Sequence, residues 1–325
     1  MSPRGKTTQP TRLIPRALWT EFRRDLKASW PRWGGKYSRY LLKECHRGVL
    51  ETFLFIGVDK QPMGFALYSR NPRFGLRVDA LHFRKGHKTE KDLRRALLML
   101  QSATHKSAYI LPDCCSGPST RAQSQALCRM GYRYIERRSL SVDLQKVSDE
   151  DSTAPTAIVR KLRRSDEKAL TRVFVRAYTN HIDAAFTPYA NPNKGVTEYV
   201  HGLLDSKKGG VVWYASFVAE ASRGVIGDVI VMNPKKPYVH QLEVVPAYQR
   251  RGLGSALLMS SLRALKERGG RHTEIGSTLL NPQDSFSFYK RLGFKPVLGK
   301  AGRNLGLWIR EDLRKRAGLW ILGER

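Results

Sequence analysis

The residues with the most chemical promise lie together in Val244-Val-Pro-Ala-Tyr-Gln-Arg-Arg-Gly-Leu-Gly-Ser255, which reads as a strand, a turn and the start of a helix. A helix N-terminus presents unpaired backbone N–H groups and the positive end of its dipole. Gly252 and Gly254, flanking Leu253, let the backbone come close to a ligand. Arg250 and Arg251 add positive charge, and Ser255 adds a hydroxyl donor. Such a set is a seat for a nucleotide pyrophosphate. Upstream, His240, Gln241 and Glu243 alternate along the strand that leads into the turn. A histidine with an ordinary pKa near 6.5 suits deprotonation at neutral pH, although a structural histidine fits the pattern equally well. Glu243 serves only if a bulge turns it inward. Tyr238 is a further candidate for substrate contact. By spacing alone Tyr289 is a core tyrosine beside Phe286 and Phe288.

These residues need a scaffold, and the second half of the chain supplies the pattern of one. Expected strands cover 158–162, 211–220, 224–232 (after a Ser222-Arg223 turn), 239–245, 274–277 and about 305–309. Expected helices cover 165–178, a segment from about Gly252 to Gly269-Gly270, and 284–292. Ser165 is the expected N-cap of the first, and residues 314–325 carry no assignment. Residues 146–157, KVSDEDSTAPTA, have a linker's composition. The halves on either side echo one another. Ala96-Leu-Leu-Met99 returns at 256–259, Met130-Gly-Tyr132 returns in kind at 292–294, and Gly64 parallels Gly227. Three echoes in order at nearly constant offset indicate a duplicated domain.

Gln249-Arg-Arg-Gly-Leu-Gly254 matches the Gln/Arg-x-x-Gly-x-Gly/Ala signature of the GNAT superfamily of N-acetyltransferases, which the chain resembles. Asn281, Ser285 and the run through Tyr289 to Phe294 resemble that family's second signature. The resemblance implies an α/β (mixed α+β) fold of two GNAT-like domains, each a central mixed, mostly antiparallel sheet flanked by helices. The expected layout is a degenerate copy over 1–148, a linker over 149–156, a catalytic domain over 157–317 and a tail over 318–325. It further implies acetyl-CoA as acyl donor, an amine acceptor and no metal. Asn281 and Tyr289 would lie near the coenzyme thiol, with Tyr289 as general acid. His240 stands where related enzymes such as spermidine/spermine acetyltransferase keep a carboxylate. Val244 and Val245 would pair through their backbone with the pantetheine arm. The tandem layout is similar to that of mycothiol synthase and other double-GNAT enzymes.

In the first half, 160 positions earlier, Thr89, Asp92 and Arg94 face Gln249, Gly252 and Gly254, and Leu127 faces Tyr289 at 162. That copy is not expected to hold acetyl-CoA in the same way. The formal charge of +30 divides into +16 over residues 1–150 and +14 over the remainder, so no basic tail accounts for it. A diffuse field of this kind admits nucleic acid or the ribosome as partners, or reflects only a basic bias. Cys45, Cys114, Cys115 and Cys128 match no zinc or disulfide pattern; Cys128 is expected in the core. No apolar run suits a membrane span and no leader is visible, so the expectation is a cytoplasmic protein without a membrane partner. Three functions remain open: small-molecule amine acetylation, with the acceptor near 184–193; protein acetylation on a ribosomal or nucleic-acid-associated target; and a non-catalytic acyl-CoA- or nucleic-acid-binding module.

Overall fold

The computed structural model describes residues 14–29, 34–71, 75–87, 89–104, 108–110, 121–148, 157–185, 194–205, 210–279, 281–297, 305–316, 318 and 321. The chain forms two compact units. One comprises Met1–Ile135 with Gly306–Ala317, the other Glu136–Leu305 with Gly318–Arg325.

In the first unit α1 (Arg16–Ser29) and α2 (Gly34–His46) precede β1 (Glu51–Ile56), β2 (Pro62–Asn71) and β3 (Gly75–Phe83), an antiparallel meander. A crossover through α3 (Glu90–Thr104) returns to β4 (Ala108–Ile110), which runs parallel to β3. Then come α4 (Arg121–Arg129) and β5 (Tyr132–Asp143). Period-2 alternation buries both faces of this sheet. Phe65, Leu67 and Ala80 pack under α1 and α2, whereas Ala66, Tyr68 and Val78 pack under α3 and α4.

The second unit repeats the plan. β6 (Ile158–Lys161) leads through a 3₁₀ turn to α5 (Glu167–Tyr178) and α6 (Lys194–Leu204). β7 (Phe217–Ala221), β8 (Gly224–Met232) and β9 (Tyr238–Val244) form the antiparallel part. α7 (Leu253–Glu267) crosses to β10 (His272–Thr278), parallel to β9, and α8 (Ser285–Arg291) and β11 (Lys295–Pro296) follow. Val229 and Val231 face the core beneath α7, while Ile230 and Met232 face α5 and α6.

The duplication extends to fine details. Gly64 and Gly227 each lie against a neighbouring strand, where a Cβ would strike the carbonyl of His82 or of Glu243. β3 and β9 each carry one extra residue opposite a register shift, Asp79 in the first and His240 in the second. Gly131 and Gly293 both end a helix in the left-handed conformation.

The compact units depart from the linear layout of 1–148 and 157–317. The last strand of each sequence half lies in the other unit. β12 (Leu305–Arg310) pairs with β4 in the first unit, and residues 137–143 of β5 pair with β10 in the second. Backbone hydrogen bonding, rather than the position of the linker, sets these memberships. The linker itself lies outside the described residues.

Other expectations shift as well. Tyr132–Asp143 is one strand, where the sequence reads as two, over 132–136 and 140–144. Trp213–Ala215 is a 3₁₀ turn, so β7 begins later than the expected 211. α6 and a short α9 (Glu311–Arg316) were not anticipated. Asp166 closes the start of the 164–178 helical segment by accepting from the Arg163 N–H at 2.8 Å, in place of a Ser165 cap. Cys128 is exposed rather than core, and Cys114-Cys115 fall outside the described residues.

Candidate active site

A cavity of about 570 Å³ opens in the second unit where β9 and β10 part. The two strands pair only at Ile275 and Val239, so their C-terminal ends splay. Beyond β9 the chain turns through Pro246–Tyr248 and then takes the left-handed conformation twice, at Arg250 (φ 62°) and Gly252 (φ 80°). Gly252 is the N-cap of α7, a backbone state that glycine accepts without strain. A Cβ on Gly254 would meet only the Phe288 ring, at ordinary contact distance. Packing therefore does not demand a bare residue there; its bareness leaves room on the cavity side.

The expected pyrophosphate residues divide into two groups. Arg250, Gly252, Gly254 and Ser255 line the cavity. Gln249 lines it too, but its Nε2 donates to the Val244 carbonyl at 2.9 Å and so braces the turn. Arg251 instead lies over the Tyr248 ring, 5.5 Å from its centroid, and Leu253 is buried in the core. Val244 faces the cavity, whereas Val245 is buried with its N–H bonded to the Ile226 carbonyl and its own carbonyl bonded to the Tyr248 N–H. Of this pair, Val244 is the one that lines the cavity beside the splay.

On the opposite wall Asn281 accepts from the Gln283 N–H at 2.8 Å through its side chain, which fixes the turn before α8. Ser285 meets Ser277, with the two hydroxyls 2.8 Å apart. Tyr289 projects from α8 into the cavity among the rings of Phe288 and Phe294. Burial raises its phenol well above 10; the Asp183 charge adds to that, and Arg137 opposes it. The hydroxyl therefore remains protonated across the neutral range.

His240 lies on the bulge of β9 and lines the cavity. Its Nε2 is 2.6 Å from the Tyr199 hydroxyl of α6. Burial, assisted by the Arg137 charge, lowers the imidazole to about 4, so the ring is neutral at pH 7. With the bulge at 240, Gln241 and Glu243 share the face that packs against α5 and also line the cavity. Both Glu243 oxygens are shut off from solvent without a well-formed hydrogen bond, and the Tyr178 hydroxyl stands beside them. Asp228, the cross-strand partner of Glu243, is fully buried and accepts from Gln241 Nε2 at 2.9 Å. Burial raises both carboxyls; the Asp228 charge raises Glu243 further, while the Gln241 hydrogen bond opposes the shift of Asp228. Tyr238 is partly exposed, edge-on to His240 and off the cavity wall.

Sequence reasoning did not select Arg137, Tyr178, His181 or Asp183, all of which line the cavity. Arg137 comes from β5, opposite Thr278, and its guanidinium passes over Gly276, where a Cβ would lie 3.1 Å from Nε. Asp183 accepts from the Thr278 hydroxyl, and its N–H donates to His181 Nδ1 at 3.0 Å. No local motif marks these residues. Among the described residues, a grouping of His and carboxylate atoms able to surround a metal occurs in the first unit, at Glu21, Asp25 and His82.

Where the second unit has its left-handed turn at Arg250 and Gly252, α3 of the first unit is helical one turn earlier. Leu93, Ala96 and Leu97 are buried in step with Leu253, Ala256 and Leu257, so Glu90–Asp92 occupy the places of Arg250–Gly252. Thr89 closes that turn: its hydroxyl lies 2.6 Å from Asp92 Oδ2 and accepts from the Asp92 N–H. The donors are already engaged within the protein.

Comparison with known proteins agrees with this architecture. Residues 212–296 match the model of the acetyltransferase (GNAT) domain. A 96-residue stretch is 35% identical to an N-alpha-acetyltransferase of Sulfurisphaera tokodaii, covering 26% of this chain and 58% of that relative. The chain thus spans little more than half the length of the curated relative it matches. Among solved structures, a GCN5-related N-acetyltransferase from Sphaerobacter thermophilus superposes with TM-score 0.56 at 14% identity, over 91% of this chain and 93% of that one. A tandem GNAT protein from the clavulanic acid biosynthesis pathway gives TM-score 0.50 at 13% identity, over 90% and 94%. The fold is similar to that of a tandem GNAT protein, and the stretch that matches the GNAT domain model lies in the second unit.

Proposed function

We propose that the second unit is an N-acetyltransferase that moves the acetyl group of acetyl-CoA to an amine. The observation that carries this reading is the coincidence, on one cavity, of the left-handed turn at Arg250 and Gly252, the splay of β9 from β10, and the Tyr289 hydroxyl. The turn presents helix N–H groups and the Arg250 charge to a pyrophosphate. The splay lets the pantetheine arm lie beside Val244 like an added strand.

The ammonium form of the acceptor first gives up a proton. Its nitrogen then attacks the thioester carbonyl, the C–S bond breaks, and the nitrogen loses a second proton. Tyr289 gives its proton to the departing sulfur and is reprotonated from solvent. The net products are the amide, the free thiol and one proton. His240, neutral and on the wall, is the better placed base. Glu243 lines the same cavity, but burial and the Asp228 charge raise its carboxyl and both oxygens are shut off from solvent, so it is the alternative base, reached beside Tyr178.

Thiol release from acetyl-CoA with a panel of amines and peptides tests the reading. Acceptor-dependent release that Gly252→Asp removes is the expected result. Absence of release with every acceptor, together with RNA binding that weakens steeply with salt, would favour a binding module, as the +30 charge allows. The similarity to an N-alpha-acetyltransferase favours a second form of the same reading, in which the amine is a protein N-terminus.

A further inference from the structure

The cavity has two ends with different electrostatics. Arg250 on the turn and Arg291 at the end of α8 belong to the phosphate end. The other end, around Tyr289, holds Arg137, His181, His240 and Asp183. There Arg137 supplies a permanent positive charge, while burial holds the His240 imidazole neutral and His181 Nδ1 accepts from the Asp183 N–H. The Asp183 carboxylate is already engaged by Thr278. Gly276 provides the shelf on which the Arg137 guanidinium lies; a larger residue would displace it.

We infer that Arg137 reads a carboxylate on the acceptor, so that the favoured substrate is an amine with a carboxylate close by. This deepens the transfer reading and rests on it. A guanidinium presents paired N–H groups in a plane that matches a carboxylate's two oxygens. Held in this way, the acceptor's nitrogen is directed toward the thioester beside Tyr289. A polycationic amine would bring like charge to Arg137 and is disfavoured. Two sources carry the required chemistry, a free amino acid and an acidic residue at a peptide N-terminus.

The test uses the full chain, acetyl-CoA and matched acceptors: β-alanine against propylamine, glycine against glycinamide, and Asp-Ala-Ala-amide against Asn-Ala-Ala-amide. The carboxylate member of a pair is expected to have a kcat/KM about tenfold to a hundredfold higher. Preference confined to the first two pairs identifies a free amino acid, and preference confined to the third identifies a peptide terminus. Arg137→Gln is expected to erase the preference, read as the ratio of kcat/KM within each pair and through KM, whatever it does to both members alike, and Arg137→Lys to restore part of that ratio. Equal use of both members of every pair overturns the inference but leaves the transfer reading intact. Equal loss on neutral and acidic amines in Arg137→Gln also overturns it, since that marks a structural role. Absence of thiol release with any acceptor overturns both.

Discussion

The Tyr199 hydroxyl lies 2.6 Å from Nε2 of His240, joining α6 to the bulge of β9 at the cavity wall. The contact fixes the ring and engages one of its two nitrogens. His240 is held at about 4, so the pH dependence of kcat/KM should lack an inflection near 6.5, with its acid limb below about pH 5. His240→Ala is expected to lower kcat/KM by about 10²-fold. Stability follows the same group: its contribution is complete above the unfolded value near 6.5 and is lost as pH falls toward about 4. Thermal melting of wild type and His240→Ala between pH 4 and 7 reads this directly. Curves that stay parallel across the range would refute it.

Tyr289→Phe preserves the ring packed between Phe288 and Phe294 and removes only the hydroxyl. The expected result is a fall in kcat of roughly 10²–10⁴-fold, with KM for acetyl-CoA and melting temperature unchanged. A variant with full turnover would return Tyr289 to the core role its spacing suggests.

Gly252→Asp places a side chain at φ 80° and a negative charge at the mouth of α7. Acetyl-CoA binding, followed by calorimetry, should disappear. Asp92→Gly should leave both binding and turnover as they were, because the α3 terminus is closed by its own helical turn.

Asp228→Asn keeps an acceptor for Gln241 and removes an ionisable group from full burial. The wild-type carboxyl is raised above its unfolded value near 3.8, so it costs stability as pH rises through the folded value. The variant should be more stable than wild type at pH 8, by on the order of 1–2 kcal/mol, and about equal at pH 5. Denaturant midpoints at the two pH values check this.

The left-handed turn that opens α7 was legible because its signals are local: glycines, a helix start and flanking arginines are adjacent in sequence. The repeat was legible for a related reason, since Gly64 and Gly227 answer the same steric demand in each sheet. Arg137, Tyr178 and Asp183 reach the cavity from β5, α5 and the turn after it, and only tertiary structure brings them to one wall. α6 escaped notice because KGVTEYVHGLL mixes glycine and β-branched residues, which weakens a helical signal that packing on α5 restores. The single long β5 looked like two strands because Arg137-Arg138 interrupts its apolar alternation. One of those arginines serves the cavity, and the other pairs with Glu136 at 2.8 Å.

The partnership of Trp308 with Ile110 has a temporal meaning. During synthesis the first sheet waits for a strand encoded nearly two hundred residues downstream of its neighbour, so its edge at β4 stays unsealed until Leu305–Arg310 has emerged. Contacts this distant in sequence slow folding and leave a strand edge open to incorrect pairing meanwhile. The first sheet therefore does not close from its own half of the sequence, and a ribosome stalled before residue 305 leaves a first half that cannot complete it.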